Sequence, residues 1–273
     1  MEKIKVIVNG LPGKMAWAIA SAVVNSNDME LLPYSLTGPE IENKHIIVSG
    51  IPVELFGPME RNFLLTNEWP DIIVDFTHPL AIDGNVDFYT INKVPFVMGT
   101  TGGNLQFIKD SVKASGINAV VAPNMAKEIV AFQAMMEFAA THFPDTFEGY
   151  TLEVTESHQK TKADTSGTAK AVIASFNQLG IPFLISQIDK KRTEVDYEAM
   201  GIPSEFWEGH GWHTYTLKKP DGSVFFQFTH NVNGRTAYVA GALDAVRFLN
   251  FEQNLPFDSG VVYDMISVLR GKF

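Results

Sequence analysis

The residues best suited to chemistry lie in one short segment, where His158 and Lys162 are followed by Ser166, Gly167 and Thr168. An imidazole titrates near neutrality, so His158 can deliver a proton, and Lys162 adds a cation four residues later. Ser-Gly-Thr before the helix-compatible run 169–176 predicts a helix N-terminus, whose backbone N–H groups bind anions. The segment therefore predicts a site that binds and protonates a small carboxylate.

Composition limits the partners that fit this chain. Its 273 residues carry 21 Lys and Arg against 31 Asp and Glu, a net charge of −10, which argues against nucleic acid or an anionic membrane. The absence of cysteine excludes disulfides and thiolate catalysis, and no apolar run reaches the roughly 20 residues of a membrane span. The first predicted strand begins almost at Met1, which favours a cytoplasmic protein; the alternative is the plastid stroma after loss of a transit peptide.

Two textures of sequence indicate two kinds of domain. The first part alternates short apolar strands with helices, which predicts a parallel, doubly wound sheet. Its predicted strands cover 4–8, 30–36, 71–76, 94–99 and 118–122, with a hairpin over 46–55 and helices over 14–25, 81–92 and 105–115. The second part predicts a mixed sheet with strands over 150–156, 183–192, 213–217 and 224–231, a helix over 128–143, a helix from Ser166 and closing helices over 238–250 and 261–270.

These patterns predict an α/β fold with an inserted domain. Residues 1–124 are predicted to form a Rossmann-like dinucleotide-binding domain. Residues 125–238 are predicted to form an α+β domain for substrate binding, catalysis and oligomerisation, and residues 239–273 to return to the first domain as helices.

The first strand is followed by a Gly-x-x-Gly turn made by Gly10 and Gly13. Glycines at such a turn let the backbone approach a pyrophosphate on the next helix N-terminus, so we expect Gly10, Gly13, Lys14 and Met15 to contact a dinucleotide. A P-loop is excluded because only two residues separate the glycines and no Ser or Thr follows Lys14. The alternative is a tight turn that binds nothing.

The end of the second strand bears on the choice of dinucleotide. A site specific for NAD usually has an acidic residue there for the ribose 2′-hydroxyl, and none occurs before Glu40. Ser35, Thr37 and Lys14 can instead tolerate a 2′-phosphate, so NADPH is favoured over NADH. The alternative is that the ribose is not recognised.

Other loops follow strands at the edge where open α/β sheets bind ligands. Glycine in these loops would let the backbone pack against a nicotinamide ring. Thr101 stands between the two predicted domains and is expected to contact substrate, His78 is expected to be structural, and Asp75 can cap its own loop. The residues predicted here to contact the dinucleotide are Phe76, Thr77, Gly99, Thr100, Pro123, Asn124 and Met125.

Two features late in the chain have weaker chemical meaning. Arg235 can contact the cofactor, orient a carboxylate or brace the site loop, and a structural role is at least as well supported. His210 and His213 suggest a metal site, but no carboxylate or cysteine set completes a ligand group, so we predict no metal. The sequence assigns neither Glu153 nor Glu156 a catalytic role.

The motifs occur in an order that resembles one enzyme family, the dihydrodipicolinate reductases. The segment Glu156-Ser157-His158-x-x-x-Lys162-x-Asp164, followed by Ser166-Gly167-Thr168-Ala169, is similar to the signature of that family. Gln159 stands where the usual bacterial pattern has a second histidine, and the proline before Ser-Gly-Thr is missing, which resembles the plant-type branch. The other similar blocks are Gly10-x-x-Gly13-Lys14-Met15, Asp75-Phe76-Thr77-x-Pro79, Gly99-Thr100-Thr101-Gly102, Ala122-Pro123-Asn124, Gly234-Arg235 and Gly241-Ala242-x-x-Ala245.

The resemblance implies a reaction: reduction of 4-hydroxy-tetrahydrodipicolinate, a small dicarboxylate, to tetrahydrodipicolinate with NADPH or NADH, in lysine and diaminopimelate biosynthesis. It implies that His158 is the general acid and that Lys162 binds a substrate carboxylate and stabilises developing charge. It also implies closure of the two domains to exclude water, and a homo-oligomer, either a dimer or a tetramer. The remaining expected substrate contacts are Gln159, as a hydrogen-bond donor, and the carboxylate cradle of Ser166, Gly167 and Thr168.

Two other functions fit part of the pattern. A non-catalytic dinucleotide sensor would bind the cofactor without turnover, and the intact His158, Lys162 and Ser-Gly-Thr set argues against it. Another dehydrogenase of amino-acid metabolism would share the N-terminal motifs and should lack that set.

Overall fold

The computed structural model describes residues 2–65, 68–162, 164–253 and 259–271. Ala163, inside the predicted site segment, and residues 254–258 and 272–273, inside the predicted C-terminal return, lie outside the described residues. The chain divides into two compact units, residues 1–127 with 238–273 and residues 128–237. The assignment of cofactor binding to one unit and substrate binding to the other stays a prediction.

The secondary structure consists of short strands, eight helices in the described residues and a few 3-10 turns. The strands are β1 (Ile4–Asn9), β2 (Met29–Leu31), β3 (Tyr34–Leu36), β4 (His45–Val48), β5 (Ile51–Phe56), β6 (Ile72–Asp75), β7 (Phe96–Met98), β8 (Ala119–Val121), β9 (Thr151–His158), β10 (Asp189–Lys191), β11 (His210–Lys218), β12 (Phe225–Asn233) and β13 (Val262–Tyr263). The helices are α1 (Lys14–Val24), α2 (Ile82–Ile91), α3 (Leu105–Ser115), α4 (Lys127–His142), α5 (Gly167–Gln178), α6 (Glu194–Met200), α7 (Thr236–Gln253) and α8 (Met265–Arg270). No helix among these is long and apolar enough to cross a membrane.

The first unit is built on a six-stranded parallel sheet in the order β13-β8-β7-β6-β1-β2. Its strands are apolar because both faces are covered, and α2 and α3 contribute to one core with β1, β6 and β7. Asn9 pairs with Asp75, and Asp75 with Met98, so three neighbouring strands end at the same level. The predicted doubly wound parallel sheet is confirmed, and its strand ends bring three predicted loops to one edge.

Two predicted elements of the first unit are wrong. The single strand over 30–36 is broken at Pro33, which has no N–H for a ladder: β2 joins the six-stranded sheet, while β3 pairs with β5 in a separate three-stranded sheet. The stretch 261–270 is not one helix, because Val262 and Tyr263 pair with β8. The side chain of Asp264 then accepts a hydrogen bond from the Ser267 N–H at 2.8 Å and begins α8.

The second unit has a four-stranded sheet in the order β10-β9-β11-β12, parallel between β10 and β9 and antiparallel elsewhere. Val172 and Phe176 of α5 pack with Tyr215 and Leu217 of β11 in its core. The predicted mixed sheet is therefore confirmed.

The predicted strand over 183–192 is wrong except for β10. The Asn177 side chain takes up the backbone groups of Phe183, accepting from its N–H at 2.8 Å and donating to its carbonyl at 3.2 Å. A 3-10 turn over 185–187 follows, so the backbone reaches a sheet only at Asp189. Helix α6, capped by Thr193, was not predicted.

Candidate active site

The first unit contains a cavity of about 820 Å³, bounded by the turns after β1, β3 and β6 and by the start of α2. That volume is within the range of cofactor sites. Six residues predicted to contact a dinucleotide line it: Gly10, Gly13, Lys14, Thr37, Phe76 and Thr77. Lining residues that the sequence interpretation missed include Leu11, Pro12, Gly38, Glu40, Arg61 and Asn85.

The turn after β1 requires both of its glycines. Gly10 has φ of +107°, and a Cβ there would lie 2.2 Å from the carbonyl oxygen of Phe76. A Cβ on Gly13 would lie 2.7 Å from the carbonyl oxygen of Gly10. At these two positions the backbone therefore lines the cavity without a side chain, which lets a pyrophosphate approach the N-terminus of the following helix.

Asp75, at the end of β6, holds the neighbouring loops together. Its carboxylate is fully buried and accepts hydrogen bonds from Thr77 Oγ1 and Thr100 Oγ1, both at 2.8 Å, and from Tyr89 Oη at 2.7 Å. Asn85 Nδ2 donates to it at 2.9 Å. Burial, and then the Asp75 carboxylate, raise the pKa of Tyr89. Asp75 thus caps its loop, as its alternative interpretation proposed.

Gly99 packs against an aromatic ring, and Ser35 is turned away from the cavity. A Cβ on Gly99 would lie 2.2 Å from Cζ of Phe76, while the predicted nicotinamide contact beside Gly99 stays a prediction. Ser35 does not reach a 2′-phosphate, because it is fully buried and its hydroxyl donates to the Leu36 carbonyl at 3.0 Å. Thr37 does line the cavity, and its buried Oγ1 has no hydrogen-bond partner in the described part of the chain.

The remaining predicted cofactor residues do not line this cavity. Thr100 binds Asp75, Asn124 Oδ1 accepts from the Ala126 N–H at 3.0 Å, and Met125 is buried. Arg235 belongs to the second unit, where its Nη1 lies 3.8 Å from a Cβ built on Gly209. The other predicted cofactor residues outside the cavity are Met15, Gly99 and Pro123. The cofactor roles of all these residues stay predictions. Substrate contact by Thr101, which is exposed, also stays a prediction.

In the second unit, His158 is the last residue of β9 and both of its ring nitrogens have partners. Nδ1 lies 3.1 Å from the carbonyl oxygen of His210, and Nε2 lies 3.3 Å from Nε2 of His213. Tyr197 Oη donates to the His158 carbonyl at 2.9 Å. The imidazole is thus held by groups from β11, and the backbone beneath it by α6.

The surroundings of His158 and His213 favour the neutral form of both rings. Burial, then the charges of Arg192 and Lys162, lower the pKa of His158 to about 4. Burial, then His230 and His158, lower the pKa of His213 to about 2. A proton on His158 at neutral pH therefore requires a further negative charge near the ring.

Arg192 organises the segment and was missed by the sequence interpretation. Its guanidinium forms an ion pair with the fully buried Glu156 carboxylate and donates to the Lys162 carbonyl at 3.2 Å. The other carboxylate oxygen of Glu156 accepts the Ser166 N–H at 3.2 Å. One buried pair therefore ties β9, the loop of Lys162 and the start of α5 together.

The predicted cradle lies at the first turn of α5, which begins at Gly167 with Ser166 as N-cap. Gly167 is exposed, Ser166 is buried and Thr168 is half-buried. Lys162 lies nearby in sequence with its Nζ 2.9 Å from Asp164 Oδ1, and the Lys162 N–H donates to the Gln159 carbonyl at 3.0 Å. The first turn of a helix has N–H groups without helical partners, so an exposed start suits an anion.

The argument that no carboxylate completes a ligand group around His213 is wrong. Ligand atoms of Glu156, His158 and His213 all lie within 4.8 Å of one another. Glu156 is already neutralised by Arg192, and the charges of Arg192 and Lys162 reach both histidines and oppose a dication. We therefore assign no metal to these residues.

A nucleotide-type parallel sheet with a glycine-lined cavity, and a second unit with a histidine-lysine segment, define a two-domain dinucleotide-dependent oxidoreductase. Residues 4–125 match the model of the dihydrodipicolinate reductase N-terminus, and residues 128–269 match that of its C-terminus. The chain belongs to the dihydrodipicolinate reductase family. The predicted function is confirmed at this level: it is an NAD(P)H-dependent oxidoreductase that reduces 4-hydroxy-tetrahydrodipicolinate in lysine and diaminopimelate biosynthesis.

Individual relatives support the predicted likeness to the plant branch. The chain is 43% identical over 270 residues to "Probable 4-hydroxy-tetrahydrodipicolinate reductase 2, chloroplastic" of Oryza sativa subsp. japonica, covering 97% of this chain and 82% of that protein. It is 42% identical over 272 residues to "4-hydroxy-tetrahydrodipicolinate reductase 1, chloroplastic" of Arabidopsis thaliana, covering 98% and 78%. The dipicolinate-bound dihydrodipicolinate reductase from Paenisporosarcina sp. TG-14 has the same fold, with a TM-score of 0.67, 18% identity and coverage of 97% and 98% of the two chains.

Proposed function

We propose that His158 protonates the substrate ring during reduction, while Lys162 and the first turn of α5 bind its carboxylates. The observation that carries this proposal is the buried Glu156–Arg192 pair, which fixes the His158 strand, the Lys162 loop and the start of α5 relative to one another. A proton donor, a cation and a helix N-terminus held together are what a dicarboxylate that gains a proton requires. Gln159, which is half-buried, and Thr101, which is exposed, are further proposed contacts.

The charge state of His158 follows from its surroundings. With a pKa of about 4 the ring is neutral in the unliganded protein. A substrate carboxylate next to it stabilises the imidazolium and raises that pKa. His158 would then take up its proton together with the substrate and donate it in the reaction.

The cavity of the first unit fits a dinucleotide. Gly10 and Gly13 leave backbone where a side chain would clash, and the unpartnered Thr37 Oγ1 is available to a ligand. Gly10, Gly13, Lys14 and Thr37 would hold the phosphates and the ribose, with Phe76 and Thr77 against the rest. When bound, the reduced nicotinamide supplies the hydride.

We favour NADPH over NADH as the cofactor. Among the described lining residues there are two cations, Lys14 and Arg61, and one carboxylate, Glu40. Arg61 gives one hydrogen bond to Asn85 Oδ1 at 3.0 Å, while its Nε has no partner among the described residues. An additional phosphate would meet a net positive cavity, whereas Glu40 would favour an unmodified ribose. Arg61→Ala should therefore lower kcat/KM for NADPH more than for NADH. Glu40→Gln should lower kcat/KM for NADH more than for NADPH.

A coupled assay tests the proposed reaction. The synthase that condenses pyruvate with aspartate semialdehyde generates the substrate in place, and loss of the reduced nicotinamide absorbance is followed with each cofactor. Oxidation only when the synthase is present supports the proposal. Cofactor binding without turnover would indicate a sensor, and turnover of aspartate semialdehyde alone would indicate another dehydrogenase.

Assembly and compartment belong to the same proposal. The edge strand β12 exposes Phe225 and Phe226, which supports a homo-oligomer, a dimer or a tetramer, measurable by sedimentation. The plant relatives are named as chloroplastic, so the plastid stroma is the alternative to the cytoplasm predicted here.

A further inference from the structure

We propose that His213 is a positioning residue that keeps the His158 imidazole neutral, by donating a hydrogen bond to its Nε2 lone pair, until substrate binds. This inference rests on the proposed role of His158 as proton donor. It concerns a residue on another strand, 55 positions later in the chain.

The hydrogen bonds of His158 determine where its proton lies. The His210 carbonyl can only accept, so Nδ1, at 3.1 Å from it, carries the hydrogen. In a neutral ring Nε2 then presents a lone pair, and the atom facing that lone pair at 3.3 Å is Nε2 of His213. His213 must therefore carry its own hydrogen on Nε2 and donate it to His158.

The sheet fixes His213 in this orientation. Its side chain is 4% exposed, it pairs across the sheet with Glu156 on β9 and with His230 on β12, and its ring stacks on His230 with centroids 4.7 Å apart. Nδ1 of His213 has no hydrogen-bond partner in the part of the chain that the structure describes. The ring consequently has one good donor position, the one used toward His158.

This arrangement resists a proton on His158 in the resting protein. A proton on Nε2 of His158 would put two N–H groups face to face, unless His213 moves its hydrogen to Nδ1. There the hydrogen would be buried without an acceptor, which is costly. A substrate carboxylate that attracts the imidazolium releases this restraint, so His213 couples protonation of His158 to substrate binding.

The other groups around the pair act on both members. The charged and titratable side chains that face the pair come from β9 and the loop after it, the residue after β10, α6, β11 and β12. They are Glu156, Lys162, Arg192, Tyr197, His210, Tyr215 and His230. Among these only His213 meets Nε2 of His158 within hydrogen-bond distance in the described structure. Its removal therefore takes away the donor to the Nε2 lone pair of neutral His158, whereas the cations Arg192 and Lys162 act on the pKa of the ring from further away.

The test compares His213→Phe, His213→Gln and the exposed control His142→Gln by 15N NMR of histidine-labelled protein. We expect His158 of the wild type to be a single tautomer with hydrogen on Nδ1. In His213→Phe the neutral lone pair loses its donor, so His158 should titrate about one pH unit higher, and kcat should fall roughly tenfold, as for other lost orienting partners. His213→Gln keeps an N–H donor, so both the titration of His158 and kcat should stay closer to the wild-type values than in His213→Phe.

An unchanged titration of His158 in a folded His213→Phe variant would overturn the inference. If that variant does not fold, the 15N spectrum of the wild type decides: hydrogen on Nε2 of His213 supports the inference, and hydrogen on its Nδ1 overturns it. The outcome is separable from the proposed function: the NMR readout needs no turnover, whereas full activity of His158→Gln would remove the proton-donor role and leave the His158–His213 coupling measurable.

Discussion

Binding of a dianionic ligand should drive proton uptake by His158. The ring starts from a pKa of about 4, so about one molecule in a hundred is protonated at pH 6. A carboxylate about 4 Å from the imidazolium contributes about 4 kcal/mol at an effective dielectric constant near 20, which corresponds to roughly three pH units. The pKa in the complex would therefore lie near 7, and about 0.9 proton should be taken up at pH 6.

Calorimetry measures this quantity directly. Dipicolinate, the ligand of the solved relative, is titrated into the protein at pH 6 in buffers of different ionisation enthalpy, and the slope of the binding enthalpy gives the protons taken up. His142 is an exposed histidine on α4, so His142→Gln should take up as many protons as the wild type. His158→Gln should lose the proton uptake. Binding of dipicolinate with no proton uptake between pH 5.5 and pH 6.5 would refute the reasoning.

Three further outcomes follow from the geometry. Gly10→Ala should abolish NADPH binding in a fluorescence titration and lower stability by about 1–3 kcal/mol, because its Cβ would meet the Phe76 backbone. The control is Gly116→Ala, which is also at positive φ but whose Cβ would have no atom within 4 Å. This variant should leave NADPH binding intact. Glu156→Gln removes the buried charge that pairs with the half-buried Arg192 and should lower the free energy of unfolding in urea by about 2–3 kcal/mol. Glu153→Gln, in an exposed pair, should cost at most about 1 kcal/mol. Burial lowers the pKa of His230 to about 4, so as pH falls the unfolded chain binds a proton at this residue before the folded chain does. The free energy of unfolding should therefore fall as pH drops below about 6.5, by roughly 2 kcal/mol at pH 5. His230→Phe should reduce the difference between urea unfolding at pH 7.5 and at pH 5.

The parallel sheet was predictable because the signals for it are local. Short apolar runs alternate with helical stretches in the first unit, and a Gly-x-x-Gly turn follows the first strand. The turn at Gly10 could be predicted because a backbone that admits no side chain requires glycine at that position of the sequence. Pro33 was visible too, but its effect, which moves β3 into another sheet, depends on a partner strand twenty residues further along.

The residues that hold His158, the proposed proton donor, could not be predicted, because strand pairing places them. Arg192 reaches Glu156 since β10 pairs in parallel with β9, with Lys190 opposite Glu156. His213 reaches His158 since β11 pairs antiparallel with β9, with His213 opposite Glu156. Periodicity identifies each strand but not its neighbour or its register. The sequence therefore predicted a role for His158 as proton donor but did not reveal its contact with His213 or the contact of Glu156 with Arg192.

The proposed mechanism depends on His158 as the proton donor. The most direct measurement is steady-state turnover of enzymatically generated 4-hydroxy-tetrahydrodipicolinate by His158→Gln, with the NADPH dissociation constant measured in parallel. We expect kcat to fall about 10²-fold or more, the scale of lost acid catalysis, with the NADPH dissociation constant unchanged. Lys162→Ala should give the same result. Turnover by His158→Gln close to that of the wild type would contradict the proposed mechanism.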